Sequence, residues 1–242
     1  MKVTACPHAR ANRCPPSFGG DRGLSLLELM FVLAVSAILL GVAIPSVMRA
    51  IRTVRLQESA IDYASLLQRA RMRAVQDDRF YSVWVQAAAG GNPPIAYVDL
   101  NPKLPTGVSG HGDPATGGFY DPAPPTPDPL VLLSTDVVVQ PVANAPAAAT
   151  LNAAFCAACV QPGSGALIKN SGPTWGPNGL PCSPGASIGG VGTVCNAAGG
   201  PTAYVTYFQS IRTQGWEAVT VTPAGRVQVW SYSANNATWS TH

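Results

Sequence analysis

The sequence is short of charged residues and of histidine, the side chains on which most active sites depend. Only 11% of its 242 residues are Asp, Glu, Lys or Arg, and there are three histidines. His8 precedes a long apolar run, His111 lies in turn-rich sequence, and His242 is the last residue. No glycine-rich phosphate loop and no nucleophile elbow is present. We therefore expect no catalytic residue, no metal and no cofactor.

Basic residues are also scarce in the distal two thirds of the chain. Residues 80–242 carry four basic against six acidic side chains, a formal charge of −2. A protein that binds nucleic acid through a broad surface needs a basic patch or stripe. The distal part is therefore not built as such a surface.

One long apolar run is present near the amino terminus. Leu24 to Ile44 covers 21 residues with Glu28 as its single ionisable group, and about 20 apolar residues suffice for a helix to cross a bilayer. A secretory signal has a shorter apolar core, and a plain membrane anchor does not account for the position of the acid. Arginines flank the run on both sides, so charge alone does not set its orientation.

The residues around the start of this run resemble the prepilin signature. Gly23 is followed by Leu-Ser-Leu-Leu-Glu-Leu-Met, with Glu28 at the fifth position after the glycine. The resemblance implies that prepilin peptidase of the inner membrane cuts after Gly23 and methylates the new amino terminus at Leu24, where the family more often has phenylalanine. It also implies that Glu28 meets the terminal amine of a neighbouring subunit, and a paired carboxylate is less costly in apolar surroundings than an isolated one.

Helical periodicity continues beyond the apolar run. We expect Pro45, with Gly41, to bend or weaken the helix. Beyond it, apolar residues recur at spacings of four and three and so share one helical face: Leu56, Ala60, Tyr63, Leu67, Ala70 and Ala74. The second half of the stem is therefore expected to pack against a sheet.

After Arg79 the pattern changes to that of β-strands. Alternating or β-rich runs predict strands at 80–85, 96–100, 130–140, 203–209, 216–222 and 226–230. The last two are joined by Pro223-Ala224-Gly225, a strong hairpin signal. Residues 101–129 are rich in proline and predict an extended surface loop.

The four distal cysteines point to an oxidising compartment. Cys156, Cys159, Cys182 and Cys195 lie in a Gly- and Pro-rich region and suggest two disulfides, for which three pairings are possible. A zinc site or redox chemistry is the competing interpretation, because Cys156 and Cys159 have ligand spacing. Cys182 and Cys195 are separated by 12 residues and do not form a second such pair.

The hairpin near the end of the chain makes the resemblance to pilins more specific. Val221-Thr222-Pro223-Ala224-Gly225-Arg226-Val227 is similar to the turn of the GspH/FimT group of minor pilins and pseudopilins. Some members bind DNA through a Gly-Arg-x-Arg turn, but here Gly225-Arg226-Val227-Gln228 lacks the second arginine, so Arg226 alone is a candidate DNA contact. A plain membrane-anchored binding module is a further alternative.

Together these patterns predict an α+β fold in which a long amino-terminal helix packs on an antiparallel β-sheet head. The expected segments are a leader at 1–23, a membrane and filament-core helix at 24–44, an amphipathic stem at 45–79 and a β-rich head at 80–242. The resemblance implies a non-enzymatic subunit of the bacterial inner membrane with a periplasmic head. Its partners would be prepilin peptidase and the other pilins or pseudopilins of a type IV pilus or a type II secretion machine.

Overall fold

The first element is a single long helix. In the computed structural model, α1 runs for 51 residues from Leu26 to Gln76; the structure describes residues 25–86, 88, 92–99, 129–140, 142–156, 173–182 and 202–241. Pro45 lies inside α1 and does not interrupt it, although proline removes one backbone donor from the helical ladder. The chain divides into two units, Met1–Pro45 and Ser46–His242.

The described residues of the first unit form an exposed apolar helix. Leu26, Phe31 and Ile38 are each more than two thirds exposed. By length and composition α1 is able to cross a membrane, and none of its most apolar window is buried within the protein. A helix that is apolar all round and uncovered suits lipid or a bundle of other helices.

In the second unit, α1 buries the predicted stripe. All six apolar residues at the predicted spacing are at most 2% exposed, so this expectation is confirmed. Three of the six are alanines, and small side chains let the helix axis approach the strands closely. Leu66 and Ala64 widen the buried face.

The described residues of the head form two antiparallel five-stranded sheets, which confirms the α+β fold. The strand order of the first is β3-β2-β1-β5-β6 and that of the second is β10-β9-β8-β7-β4. The first sheet comprises β1 (Tyr81–Gln86), β2 (Ile95–Asp99), β3 (Leu130–Leu132), β5 (Thr174–Trp175) and β6 (Pro181–Cys182). The second comprises β4 (Val137–Gln140), β7 (Tyr204–Ser210), β8 (Trp216–Val221), β9 (Val227–Ser233) and β10 (Thr238–Thr241).

Both sheets contribute to the core that covers α1. Val83 of β1 and Val98 of β2 join Phe208 of β7 and Val219 of β8 in one buried cluster with the helix. Tyr63 of α1 packs edge-on against Phe208, with ring centroids 5.2 Å apart, an arrangement that aromatic pairs prefer. The helix therefore organises the head from a single buried face.

The prediction of one strand at 130–140 is wrong. The segment is split between β3 in the first sheet and β4 in the second. A turn separates the two strands, closed by a 2.9 Å bond from the Val137 amide to the Ser134 carbonyl. Ser134 is tied to α1, because its amide donates to the Ser59 hydroxyl at 3.1 Å. Because the Ser59 hydroxyl accepts the Ser134 amide proton, that amide does not take part in a strand ladder.

A second helix covers the opposite face of the second sheet. The sequence did not predict α2 (Ala148–Cys156). Its Leu151 is fully buried with Tyr207, Ala218 and Trp230. Successive strand residues point to opposite faces, so Tyr207 faces α2 while its neighbour Phe208 faces α1. The second sheet is thus covered on both sides.

Candidate functional site: the start of α1 and the turn that docks on it

The amino-terminal site begins with a helix cap. Ser25 precedes α1, and its hydroxyl accepts a 3.2 Å hydrogen bond from the Leu27 amide. Its carbonyl accepts the first helical bond, 3.1 Å from the Leu29 amide. A serine followed three residues later by glutamate is the sequence form of a capping box. The helix is therefore capped at a defined residue, two positions after the predicted cleavage point, and begins at Leu26.

Glu28 lies in the first turn of α1 and is exposed. An acid at this place interacts favourably with the positive end of the helix dipole. Within the part of the chain that the structure describes, Glu28 has no ion-pair partner. Gly23 and Leu24, the predicted processing residues, lie outside the described residues.

Residues 222–226 form a turn, and its threonine, proline and glycine each suit the turn geometry. Pro223 presets the backbone for the first central position of a turn. Gly225 has φ +77°, a left-handed conformation that only glycine adopts without strain. The Gly225 amide donates to the Thr222 carbonyl at 2.8 Å, and the Arg226 amide donates to the Thr222 hydroxyl at 3.1 Å. The predicted hairpin between β8 and β9 is confirmed.

Arg71 of α1 docks this turn on the helix. Its Nη1 donates to the Gly225 carbonyl at 2.8 Å, and its guanidinium carbon lies 5.8 Å from the ring centre of Trp175. A Cβ added at Gly225 would lie 2.9 Å from that carbon and 3.0 Å from the carbonyl oxygen of Gly179. Arg71 therefore joins α1 to the turns of both sheets, a role that no sequence pattern indicated.

The side chain of Arg226 is exposed at the tip of this turn. Because Arg71 is committed to the Gly225 carbonyl and to Trp175, its charge is directed inward. The turn thus presents one free guanidinium to solvent. A single charge is a weak basis for phosphate binding, which scales with the number of phosphates neutralised.

Two of the four predicted cysteines are described. Cys156 at the end of α2 and Cys182 in β6 are both disulfide-bonded. The Cys182 carbonyl also accepts a hydrogen bond from the buried Tyr204 hydroxyl. Cys159 and Cys195 lie outside the described residues, so two disulfides among the four cysteines stay a prediction and all three pairings stay open. Among the described residues no cluster of His, Cys, Asp and Glu could hold a metal ion.

Comparison with known families bears on the amino-terminal segment. Residues 19–44 match the model of the prokaryotic N-terminal methylation motif. The match supports a type IV pilin-like protein. No curated protein and no solved structure matches the chain. The motif spans the predicted cleavage point, the Ser25 cap, Glu28 and the exposed apolar half of α1, and it implies a processed pilin-type subunit. It does not reach the head, so the GspH/FimT assignment stays a prediction.

Two residues of these sites were missed from sequence. Ser25 could have been found, because the Ser25–Glu28 spacing is that of a capping box. Arg71 could not, because its partner is a backbone carbonyl 154 residues away.

Proposed function

We propose that this chain is a non-enzymatic minor pilin or pseudopilin subunit. Prepilin peptidase cuts after Gly23 and methylates Leu24, and the apolar half of α1 holds the protein in the bacterial inner membrane. The head lies in the periplasm, and the subunit then enters a type IV pilus or a type II secretion pseudopilus near its tip. The four segments are the leader at 1–23, the membrane and filament-core helix at 24–44, the stem at 45–79 and the head at 80–242.

The observation that carries this proposal is that the methylation motif ends before the part of α1 that is buried in the head. The methylation motif ends at residue 44, and α1 becomes buried in the head only from Leu56 onward. The described apolar residues of the motif are thus exposed. An exposed apolar helix needs lipid or other helices, and an assembling subunit uses both in turn.

Glu28 supports an assembly role within this proposal. Among the described residues Glu28 has no ion-pair partner, and an unpaired carboxylate is costly in apolar surroundings. The methylated amine of Leu24 in a neighbouring subunit would supply the opposite charge. Such a pair would set the axial register of the subunit in the filament.

The test is the mature amino terminus, measured by mass spectrometry on protein extracted from membranes. A chain that begins at N-methylated Leu24 is expected. An intact leader, or a cut beyond Ile44, would overturn the proposal and leave a plain anchored or secreted β domain.

The choice between pilus and secretion machine requires a genetic observation. Both assemblies use the same leader, anchor and acid. Neighbouring genes for a secretin and secretion substrates would favour the pseudopilus, whereas genes for pilus retraction and competence would favour the pilus.

DNA uptake is the alternative for the head. Its support is the exposed Arg226 at the hairpin tip, in the position of the first arginine of the DNA-binding turn. Filter binding that falls on changing Arg226→Ala, with a steep salt dependence, would favour this alternative.

A further inference from the structure

The face of the second sheet that α2 partly covers carries three neighbouring aromatic side chains. Trp216, Tyr232 and Trp239 are each half-buried there. The Tyr232 and Trp239 rings lie 5.2 Å apart, centre to centre, and Trp239 lies 5.9 Å from Tyr207. Trp216, Tyr232 and Trp239 form an aromatic platform on strands β8, β9 and β10, in which the Tyr232 and Trp239 ring planes are tilted by 51° to each other.

A chain of side-chain amides runs beside the platform. Asn144 donates to Gln140 at 3.0 Å, Gln140 donates to Gln209 at 2.8 Å, and Gln209 donates to Gln214 at 2.9 Å. Gln209 is the direct cross-strand partner of Trp216, so the amides and the aromatic rings are adjacent. We call the seven residues the aromatic–amide face: Trp216, Tyr232, Trp239, Gln140, Asn144, Gln209 and Gln214.

This face is neutral. The only charged residue in the strands of the second sheet is Glu217, and by strand alternation it shares the side of Val219, which faces α1. Nucleic acid is therefore a poor fit, because its affinity comes from cationic contacts to phosphate.

The free hydrogen-bonding capacity of the amides is balanced. Each primary amide has two N–H donors and two lone pairs, and the chain of bonds uses one of each at Gln140 and Gln209. One N–H donor and one lone pair are therefore left on each of these two side chains. A sugar hydroxyl both donates and accepts, so neighbouring hydroxyls match this pattern. A proline-rich peptide also fits aromatic grooves, but proline offers no N–H and would leave the amide oxygens without donors.

A buried hydroxyl next to the platform supports a ligand. Tyr207 is 1% exposed, and its hydroxyl has no hydrogen-bond partner. Asn152 of α2, the helix over the same cluster, likewise has a buried and unpartnered Oδ1. An unsatisfied buried polar group is destabilising, and a ligand hydroxyl or an ordered water that reached it would remove that cost.

We propose that the aromatic–amide face binds a neutral oligosaccharide. The apolar faces of the sugar rings stack on Trp216, Tyr232 and Trp239, and their hydroxyls bond the amides of Gln140 and Gln209. The site lies wholly in the head and goes beyond the assembly role proposed above. It would hold whether or not the chain enters a filament.

The test is calorimetric titration of the full chain in lipid nanodiscs, without sugar-based detergent, with cellohexaose and chitohexaose as probes. We expect saturable binding of at least one probe with Kd at or below about 1 mM. The bound probe should also quench tryptophan fluorescence. Tyr232→Ala and Gln209→Leu should each weaken binding by about tenfold or more. Ile61→Ala and Gln68→Leu, exposed changes of the same kinds on α1, should leave it unchanged.

Near-ultraviolet circular dichroism of each variant shows whether the head remains folded, and only folded variants are compared. Binding of neither probe up to about 10 mM would overturn the proposal. Equal binding by the folded Tyr232→Ala and Gln209→Leu variants would overturn it as well. Binding of a synthetic peptide of residues 119–130 in place of the saccharides would assign the face to proline-rich segments instead.

Discussion

At the scale of single residues, Gly225 is held by two independent constraints. Its φ of +77° strains any other residue, and an added Cβ would meet the Arg71 guanidinium and the Gly179 carbonyl oxygen. The second contact is with backbone, which cannot move aside as a flexible side chain can.

We therefore expect Gly225→Ala to lower the free energy of unfolding by about 1–3 kcal/mol. Urea denaturation of the full chain, followed by tryptophan fluorescence, measures this. Ala224→Ser, an exposed change in the same turn, should stay within about 0.5 kcal/mol. Equal midpoints for the two variants would contradict the proposed constraint.

The role proposed for Glu28 separates assembly from folding. Because it is exposed and far from the buried stripe of α1, Glu28→Gln should leave the melting temperature of the head unchanged. Filament incorporation, measured by immunoblotting of sheared filaments, should fall. Glu58→Gln, an exposed acid on the same helix, is the matched control. Normal incorporation of the Glu28 variant would show that the carboxylate does not pair between subunits.

At the scale of elements, α1 was the most predictable part of the molecule. A long helix with a strict apolar face has one way to bury that face, so periodicity alone identified the residues that pack on the sheets. The hairpin of β8 and β9 was predictable for a similar reason, because proline and glycine at set positions leave few turn geometries open.

Elements decided by distant contacts were not predictable. The split of 130–140 depends on a bond from Ser134 to Ser59 of α1, which no local pattern encodes. The two-residue strands β5 and β6 are too short to show alternation. α2 has no acid in its first turn and no base in its last turn, so its sequence lacks the charge signals of a helix.

The buried stripe gives a test of helix docking. Leu67 is fully buried, and removing its side chain leaves a cavity between α1 and the strands. Leu67→Ala should lower the free energy of unfolding by about 2–5 kcal/mol, measured by urea denaturation. Met72→Ala removes a long side chain that is 56% exposed and should cost far less. Similar losses for the two variants would contradict the docking face.

At the scale of the whole molecule, buried tyrosines predict how stability depends on alkaline pH. Burial raises the pKa of Tyr204 and of Tyr207 to about 12 from the ordinary 10.0. Below about pH 10 both tyrosine hydroxyls are protonated in the folded and in the unfolded protein, so the full stability is present. Between about pH 10 and 12 the unfolded state releases protons that the folded state retains, so stability falls.

Urea titrations at a series of pH values measure this fall. In the Tyr207→Phe variant the free energy of unfolding should fall less over this pH range. At neutral pH the same change should cost little, because the hydroxyl has no partner to lose. A stability that stays constant up to about pH 12 would contradict the proposed cause.

Three hydrogen bonds between α1 and the described part of the head end on three different pieces of the chain. Ser59 accepts from the turn before β4, Tyr63 bonds Thr206 of β7 at 3.2 Å, and Arg71 donates to the turn before β9. A pull along the helix axis loads all three together with the buried stripe, in shear. They cannot be broken one at a time, as the rungs of a peeled hairpin can. We therefore expect detaching the head by a pull along its stem to need a higher force than peeling a hairpin strand by strand.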